Sequence, residues 1–173
     1  LISPNTVPDA WGRHFIDSAQ LAPLLPEGGF TLYDLGSGAG FAGLVLAILR
    51  PDIRATLIES DAKKCAFLSA VSRETGVPIV VRNERIEVAT AALSPPDLVS
   101  ARALASLTEL FSYVWPWAEK RPDLQMIFPK GAQAQAEIDA AKAAGWVFET
   151  SLMGSKTEPS AQILSVTNLR KDI

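Results

Sequence analysis

Phe30-Thr31-Leu32-Tyr33-Asp34-Leu35-Gly36-Ser37-Gly38-Ala39-Gly40-Phe41 is the stretch on which the fold turns. Its first six residues are mostly apolar or aromatic and carry one charge, the composition of a short buried strand. Glycine then recurs at 36, 38 and 40, which ends the strand and permits a tight turn. Residues 41–49 are apolar again and read as a helix. Strand, glycine turn and helix in succession form the opening unit of an α/β sheet.

Outward from that unit the same alternation continues. Residues 54–59 supply a second strand, and Asp61 can cap a helix over 62–75 that Gly76 and Pro78 terminate. Residues 79–82 and 97–101 read as the third and fourth strands, with a loop or brief helix between them that closes at Pro95-Pro96. A helix from Ser106 to about Trp117, a strand over 124–128, an alanine-rich helix over 132–144 ending at Gly145 and a strand over 146–152 follow. The last strand, 161–169, has no helix before it, so it is expected to form an antiparallel terminal hairpin with its predecessor. Upstream, Trp11, Phe15, Ala19, Ala22 and Leu25 recur at helical spacing and predict an amino-terminal helix over about 10–25. The fold class is therefore α/β, a Rossmann-like, seven-stranded, mostly parallel sheet, with residues 1–173 expected to form one domain.

Sixteen Lys and Arg against nineteen Asp and Glu give a formal net charge of -3, so any polyanion must be met by a local cluster and not by a global basic field. One cysteine, Cys65, excludes an internal disulfide framework, and one histidine, His14, leaves no zinc constellation; no metal is expected. Apolar runs fall well short of the ~20 residues that span a bilayer, so no membrane association is expected and the cytoplasm is the expected location. The chain opens at Leu1 without methionine, and an upstream segment is expected to be missing.

The glycine turn has a partner. Glu59 closes the second strand, nineteen residues beyond Gly40, where a carboxylate can accept hydrogen bonds from ribose hydroxyls. Gly38-Ala39-Gly40-Phe41-Ala42-Gly43 also matches the dinucleotide pattern G-x-G-x-x-G, but in that register Gly36 and Ser37 intervene after the strand; the register starting at Gly36 puts Phe41 where a small residue belongs. Asp34-x-Gly36-x-Gly38-x-Gly40 instead resembles motif I of class I S-adenosylmethionine (SAM) methyltransferases, a fold the terminal hairpin also suits. Ser94-Pro95-Pro96-Asp97 superficially resembles a motif of amino-group methyltransferases, yet it precedes the fourth strand and lacks the aromatic residue, so it reads as a loop stop.

In open α/β sheets ligands lie beyond the carboxyl ends of the strands. Arg85, Arg102 and Lys130 follow the third, fourth and fifth strands, and Arg13 and His14 on the amino-terminal helix can join them in a basic rim suited to phosphate. With these residues in view, the chain resembles the bacterial 16S ribosomal RNA guanine-N7 methyltransferase family (methyltransferase G, glucose-inhibited division protein B). Arg13-His14-x-x-Asp17-Ser18, the motif from Asp34 to Phe41 with Gly43, Arg85-Ile86-Glu87, Ser100-Ala101-Arg102-Ala103 and Lys130-Gly131 carry the likeness in order.

The resemblance implies that Gly36, Phe41, Ile86, Glu87 and Arg102 line the methyl-donor pocket, while Arg13, His14 and Lys130 border the RNA. With the spacing argument for Glu59, the turn residues Asp34, Ser37, Gly38 and Gly40 and the rim residue Arg85, these are the candidate site residues. The implied cofactor is SAM, and the implied partner is 16S rRNA or the small ribosomal subunit, with no DNA and a monomeric enzyme expected. Guanine N7 is a lone-pair acceptor without a proton, so no general base is expected and Arg102 is assigned an orienting role. Departures from the family are Ala42 where proline is common, Pro129 where leucine is usual, and Ser160-Ala161-Gln162 where an arginine often stands. The alternatives are a SAM-dependent methyltransferase of a small molecule or protein, and a non-catalytic module that binds SAM or a dinucleotide.

Overall fold

The computed structural model describes residues 8–172. Seven strands form one sheet in the order β3-β2-β1-β4-β5-β7-β6: β1 (Thr31–Leu35), β2 (Arg54–Glu59), β3 (Ile79–Asn83), β4 (Leu98–Ala101), β5 (Gln125–Lys130), β6 (Trp146–Gly154) and β7 (Gln162–Lys171). The first five are parallel; β7 lies between β5 and β6 and runs antiparallel to both. The expected terminal hairpin is present. Strand order reverses between β2-β1 and β4, so the carboxyl ends of β1 and β4 open a crevice there, where ligands of doubly wound sheets sit.

Both faces of the central strands are buried, which is why they read as apolar runs and not as alternating ones. Met126 and Phe128 of β5 pack into a cluster with Phe111, Val114 and Trp117, while Ile127 between them joins Leu32, Leu46 and Leu98 on the opposite face. Helices cover those faces: α2 (Gly43–Leu49), α3 (Ala62–Thr75), α4 (Ile86–Ala92), α5 (Leu107–Ala118) and α6 (Ala134–Ala143). Asp61 caps α3 by accepting from the N–H groups of Lys63 and Lys64, and Gly76 closes it in a left-handed conformation. Ser106 and Glu109 cap α5 reciprocally.

Two expectations change. The amino-terminal helix is not continuous: a π-helical turn, Trp11–Ile16, runs into α1 (Asp17–Ala19) and then a 3-10 turn, Ala22–Leu24, that contains Pro23. Proline lacks the N–H that would continue an α-helical ladder, and its ring crowds the preceding turn. Pro129 and Lys130 lie inside β5 instead of following it, because β7 pairs alongside them, Ile163 opposite Pro129 and Gln162 opposite Lys130. Among the described residues no helix is long and apolar enough to cross a membrane.

Candidate active site

Two cavities flank the carboxyl end of β4. The first, about 340 Å³, is built largely from the segments that follow β1, β2 and β3. Gly36 and Gly38 form its floor in left-handed conformations, φ 61° and 57°, which is what the glycine cluster is for. The turn is held by backbone bonds: Ser37 N–H donates to Ile58 O at 3.2 Å and Gly40 N–H to Ser37 O at 2.8 Å.

Glu59 stitches the turn to β2. Its Oε2 accepts from Gly38 N–H and its Oε1 from Asp61 N–H, both at 2.9 Å. Each oxygen keeps a further lone pair for a ligand hydroxyl. Glu84, Glu87, Arg85 and Lys64 share the lining with apolar Ile58, Ile86, Leu104 and Tyr113. Three carboxylates against two cations, one of which (Arg85) is 3.4 Å from Glu87, suit a ligand with a diol and a positive charge better than a pyrophosphate.

Asp34 sits beneath this turn and lines neither cavity. It is buried, its Oδ1 accepts from Ser100 Oγ at 2.6 Å, and its Oδ2 has no hydrogen-bond partner. Burial pushes its carboxyl above the usual range, against the hydrogen bonds that pull it down. A Cβ at Gly43 would stand 2.6 Å from Asp34 Cβ, so the start of α2 packs directly on the carboxylate-bearing end of β1. The Asp34 carboxylate thus ties β1 to Ser100 of β4, while its main-chain oxygen accepts from Ser37 Oγ in the turn.

The second cavity, about 430 Å³, lies on the other side of Ala103, which lines both. Its walls come from Arg13, His14, Asp17 and Gln20, from Arg102, from Lys130 and Glu137, and from the β6–β7 connection including Thr157 and Glu158. Arg102 organises the first of these. Its Nη1 donates to Asp17 Oδ2 at 3.1 Å and to Arg13 O at 3.3 Å, its Nη2 contacts His14 Nδ1 at 2.8 Å, and its guanidinium carbon lies 5.4 Å from the Phe41 ring centroid. Phe41 stacks on His14 with centroids 5.0 Å apart. Asp17 Oδ1 accepts from Thr157 Oγ1 at 2.6 Å and Gln20 Nε2 at 2.8 Å, so one carboxylate ties the amino-terminal segment to β4 and to the β6–β7 connection.

The basic rim divides. Arg13, His14, Arg102 and Lys130 gather at the larger cavity, whereas Arg85 borders the smaller. Nor is it a field of unpaired charge: Arg13 is 3.9 Å from Glu158, Arg102 pairs with Asp17, and Lys130 donates to Glu137 Oε2 at 2.7 Å and Ala105 O at 2.9 Å. Lys130 is only 8% exposed at its side chain, so its job here is to pin the loop after β4. Of the residues expected beside the donor, Gly36, Gly38, Glu59, Ile86 and Glu87 line the smaller cavity; Phe41 and Arg102 sit with the larger cavity's cluster. Ser37 is buried, donating through Oγ to Asp34 O, and Gly40 is packed against Leu44. Gln20, Glu137 and Thr157 were not singled out from the sequence, and Asp17 and Ala103 stood in the quoted motifs without being assigned to the site. Asp17 had a signal, since three to four residues from Arg13 and His14 on a helical segment puts it on their face.

The sheet order, the glycine turn with its acid and the two adjoining cavities define a class I methyltransferase. Solved structures share that fold: fibrillarin from Aeropyrum pernix, in complex with natively bound S-adenosyl-L-methionine, superposes with a TM-score of 0.66 at 16% identity, covering 90% of this chain and 75% of that one. A ribosomal protein L11 methylase from Lactobacillus delbrueckii subsp. bulgaricus gives 0.66 at 16%, covering 91% and 77%. The sequence profile of the GidB family, rRNA small subunit methyltransferase G, matches residues 1–160. Proteins named ribosomal RNA small subunit methyltransferase G are 47% identical in Rhodospirillum centenum, over 98% of this chain and 76% of that protein, and 43% identical in Paramagnetospirillum magneticum, over 99% and 80%. The chain belongs to this family of rRNA methyltransferases.

Proposed function

We propose that the chain transfers a methyl group from SAM, held in the smaller cavity, to N7 of a guanine in 16S rRNA seated in the larger one. The observation that carries this reading is the shared wall at Ala103: donor and acceptor spaces adjoin at the carboxyl end of β4. Gly36 and Gly38 give the backbone close access to the donor, Glu59 accepts from its ribose, and Ile86 and Leu104 offer apolar surface to its base.

Bound SAM supplies an electrophilic methyl on a sulfonium sulfur. As the S–CH₃ bond breaks and the N7–CH₃ bond forms, positive charge passes from sulfur to base and no proton has to leave. The protein's task is alignment, a contribution worth up to ~7–11 kcal/mol where geometry is favourable. Arg102, Phe41 and His14 form a rigid wall for the acceptor, and the acceptor base must be unstacked to reach it. The paired rim fits a shaped ribosomal substrate better than arbitrary nucleic acid. We take the enzyme to act as a cytoplasmic monomer, without DNA as a partner. Incubating the protein with labelled SAM and 16S RNA or intact small subunits, then mapping the label, should find one methylated guanine; label on protein or small molecules alone would overturn the reading.

A further inference from the structure

We infer that Trp11 is a stacking platform for an unpaired base of the RNA substrate, one that neighbours the target guanine and stays outside the acceptor cavity; this rests on the proposed methyl transfer to 16S rRNA and adds a contact to it. The starting point is an exposure that folding does not account for. Trp11 is 69% exposed, more than any other large apolar side chain among the described residues, and Phe15, the ring it touches, is 39% exposed. Exposed apolar residues scattered singly are ordinary, but adjoining aromatic rings at the surface mark a place that a partner covers.

Rings join this patch to the acceptor side. Trp11 stacks on Phe15 with centroids 5.2 Å apart, Phe15 meets Phe41 edge-on at 5.0 Å, and the Arg102 guanidinium carbon lies 5.4 Å from the Phe41 centroid. Arg102 lines the larger cavity, as does Arg13, which is two residues from Trp11 and 57% exposed at its side chain. Trp11 itself lines neither cavity. An aromatic ladder therefore runs from the cavity wall out to the surface, and Phe15 supports the indole at its end.

A nucleobase suits that end of the ladder. Every base has a π face that an indole can take, and the gain from stacking does not require counterions to be released. Such a contact complements a cavity whose cations are already paired, Arg13 with Glu158, Arg102 with Asp17 and Lys130 with Glu137. Drawing the target guanine out of its stack also strips a neighbour from the base beside it. Trp11 replaces that neighbour and offsets part of the cost of unstacking.

Two substitutions separate stacking from mere apolar bulk, because leucine keeps the bulk and phenylalanine keeps a π face. Affinity for 16S RNA should fall ~10-fold in W11L and no more than ~3-fold in W11F, with the salt dependence unchanged in both because no phosphate contact is lost. The loss should appear in KM for RNA, while kcat and SAM affinity by calorimetry stay within ~2-fold of the unsubstituted protein. Trp117 and Trp146 are buried, so quenching of tryptophan emission on adding RNA should come chiefly from Trp11 and largely vanish in W11F. W11L binding RNA as tightly as the unsubstituted protein, or W11F losing as much as W11L, overturns the inference and leaves the methyltransferase reading standing. Loss of self-association by W11L in sedimentation, with RNA affinity kept, overturns it likewise and gives the patch to a second copy. No methyl transfer to 16S RNA by the unsubstituted protein overturns both. If W11L fails to fold, the quenching of the unsubstituted protein against W11F decides.

Discussion

The two cavities on either side of Ala103 are made in different ways. The smaller is backbone architecture: a glycine turn, the ends of β2 and β3 and the start of α4, each a short local segment. The larger is side-chain architecture, assembled from the amino-terminal segment, β4, β5, α6 and the β6–β7 connection, with Arg102 bonded to residues 85 to 89 positions away. Shape set by backbone is tolerant of side-chain change but intolerant of lost glycine. A wall of interlocked side chains behaves the other way, since removing one member leaves a partner unpaired.

Changes at the glycine turn should break the comparison most severely. A Cβ at Gly38 would meet nothing closer than Gly36 O at 3.8 Å, so an added side chain would stand in the open space beside the cavity, on a backbone with φ 57° that a β-branched residue resists. Gly38→Val is expected to weaken SAM binding by ~10²-fold or more by calorimetry, with strain of ~1–3 kcal/mol added. RNA affinity, measured separately, should hardly move. Equal loss of both would show that the cavities are not separable.

On the other side, Arg102→Ala should lower kcat/KM for methyl transfer by ~10²-fold while donor affinity stays within ~3-fold. Asp17→Asn should cost ~10-fold, because the amide can still accept from Thr157 but no longer balances the guanidinium. If Asp17 acts through Arg102, combining the two substitutions should cost no more than Arg102→Ala alone. Multiplied losses would dissociate Asp17 from the Arg102 wall.

The same division decided what could be read from sequence. Asp61 and Gly76 delimit α3 because caps are local chemistry, and the glycine turn and Glu59, which line the smaller cavity together, were legible for the same reason. The amino-terminal segment read as one helix because apolar spacing dominated, although Pro23 stood inside it. Extension of β5 through Pro129 and Lys130 depends on β7, more than thirty residues later, and has no local trace. Lys130 and Arg85 were grouped as a rim because strand ends share an edge; Arg85 faces Glu87, two residues along its own motif, whereas the acid that faces Lys130 lies on α6, a placement only tertiary structure reveals. Glu137, one α6 residue, accepts from both Lys130 Nζ and Leu107 N–H.

Paired charge also predicts a shallow response to salt. Arg13, Arg102 and Lys130 each face a carboxylate, so few cations remain to displace counterions from RNA. The slope of log affinity against log salt for 16S RNA should be about -2 or shallower, near that of ~2 phosphate contacts. A slope as steep as -6 would mean that RNA separates these ion pairs on binding, and would recast the larger cavity as a latent basic site.

The smallest effect on activity should come from a carboxylate at the opposite end of the sheet. Asp97 precedes β4 at its amino end, where Oδ2 accepts from Thr31 N–H and Thr31 Oγ1–H, and Oδ1 lies 2.7 Å from Arg121 Nη2. The Thr31 hydrogen bonds first, and Arg121 after them, lower its pKa from 3.8 to about 2. A carboxylate depressed by folding contributes stability that is whole above 3.8 and fades as pH falls towards about 2. Partial exposure reduces what that shift is worth, so Asp97→Asn should cost ~1–2 kcal/mol at neutral pH and flatten the acid edge of thermal unfolding between those values. Methyl transfer below the unfolding temperature should be unaltered, because neither cavity includes this end of the strands. A loss of activity without a loss of stability would mean that strain at the amino end of β4 reaches Ala103 through the strand itself, and that the two cavities share more than a wall.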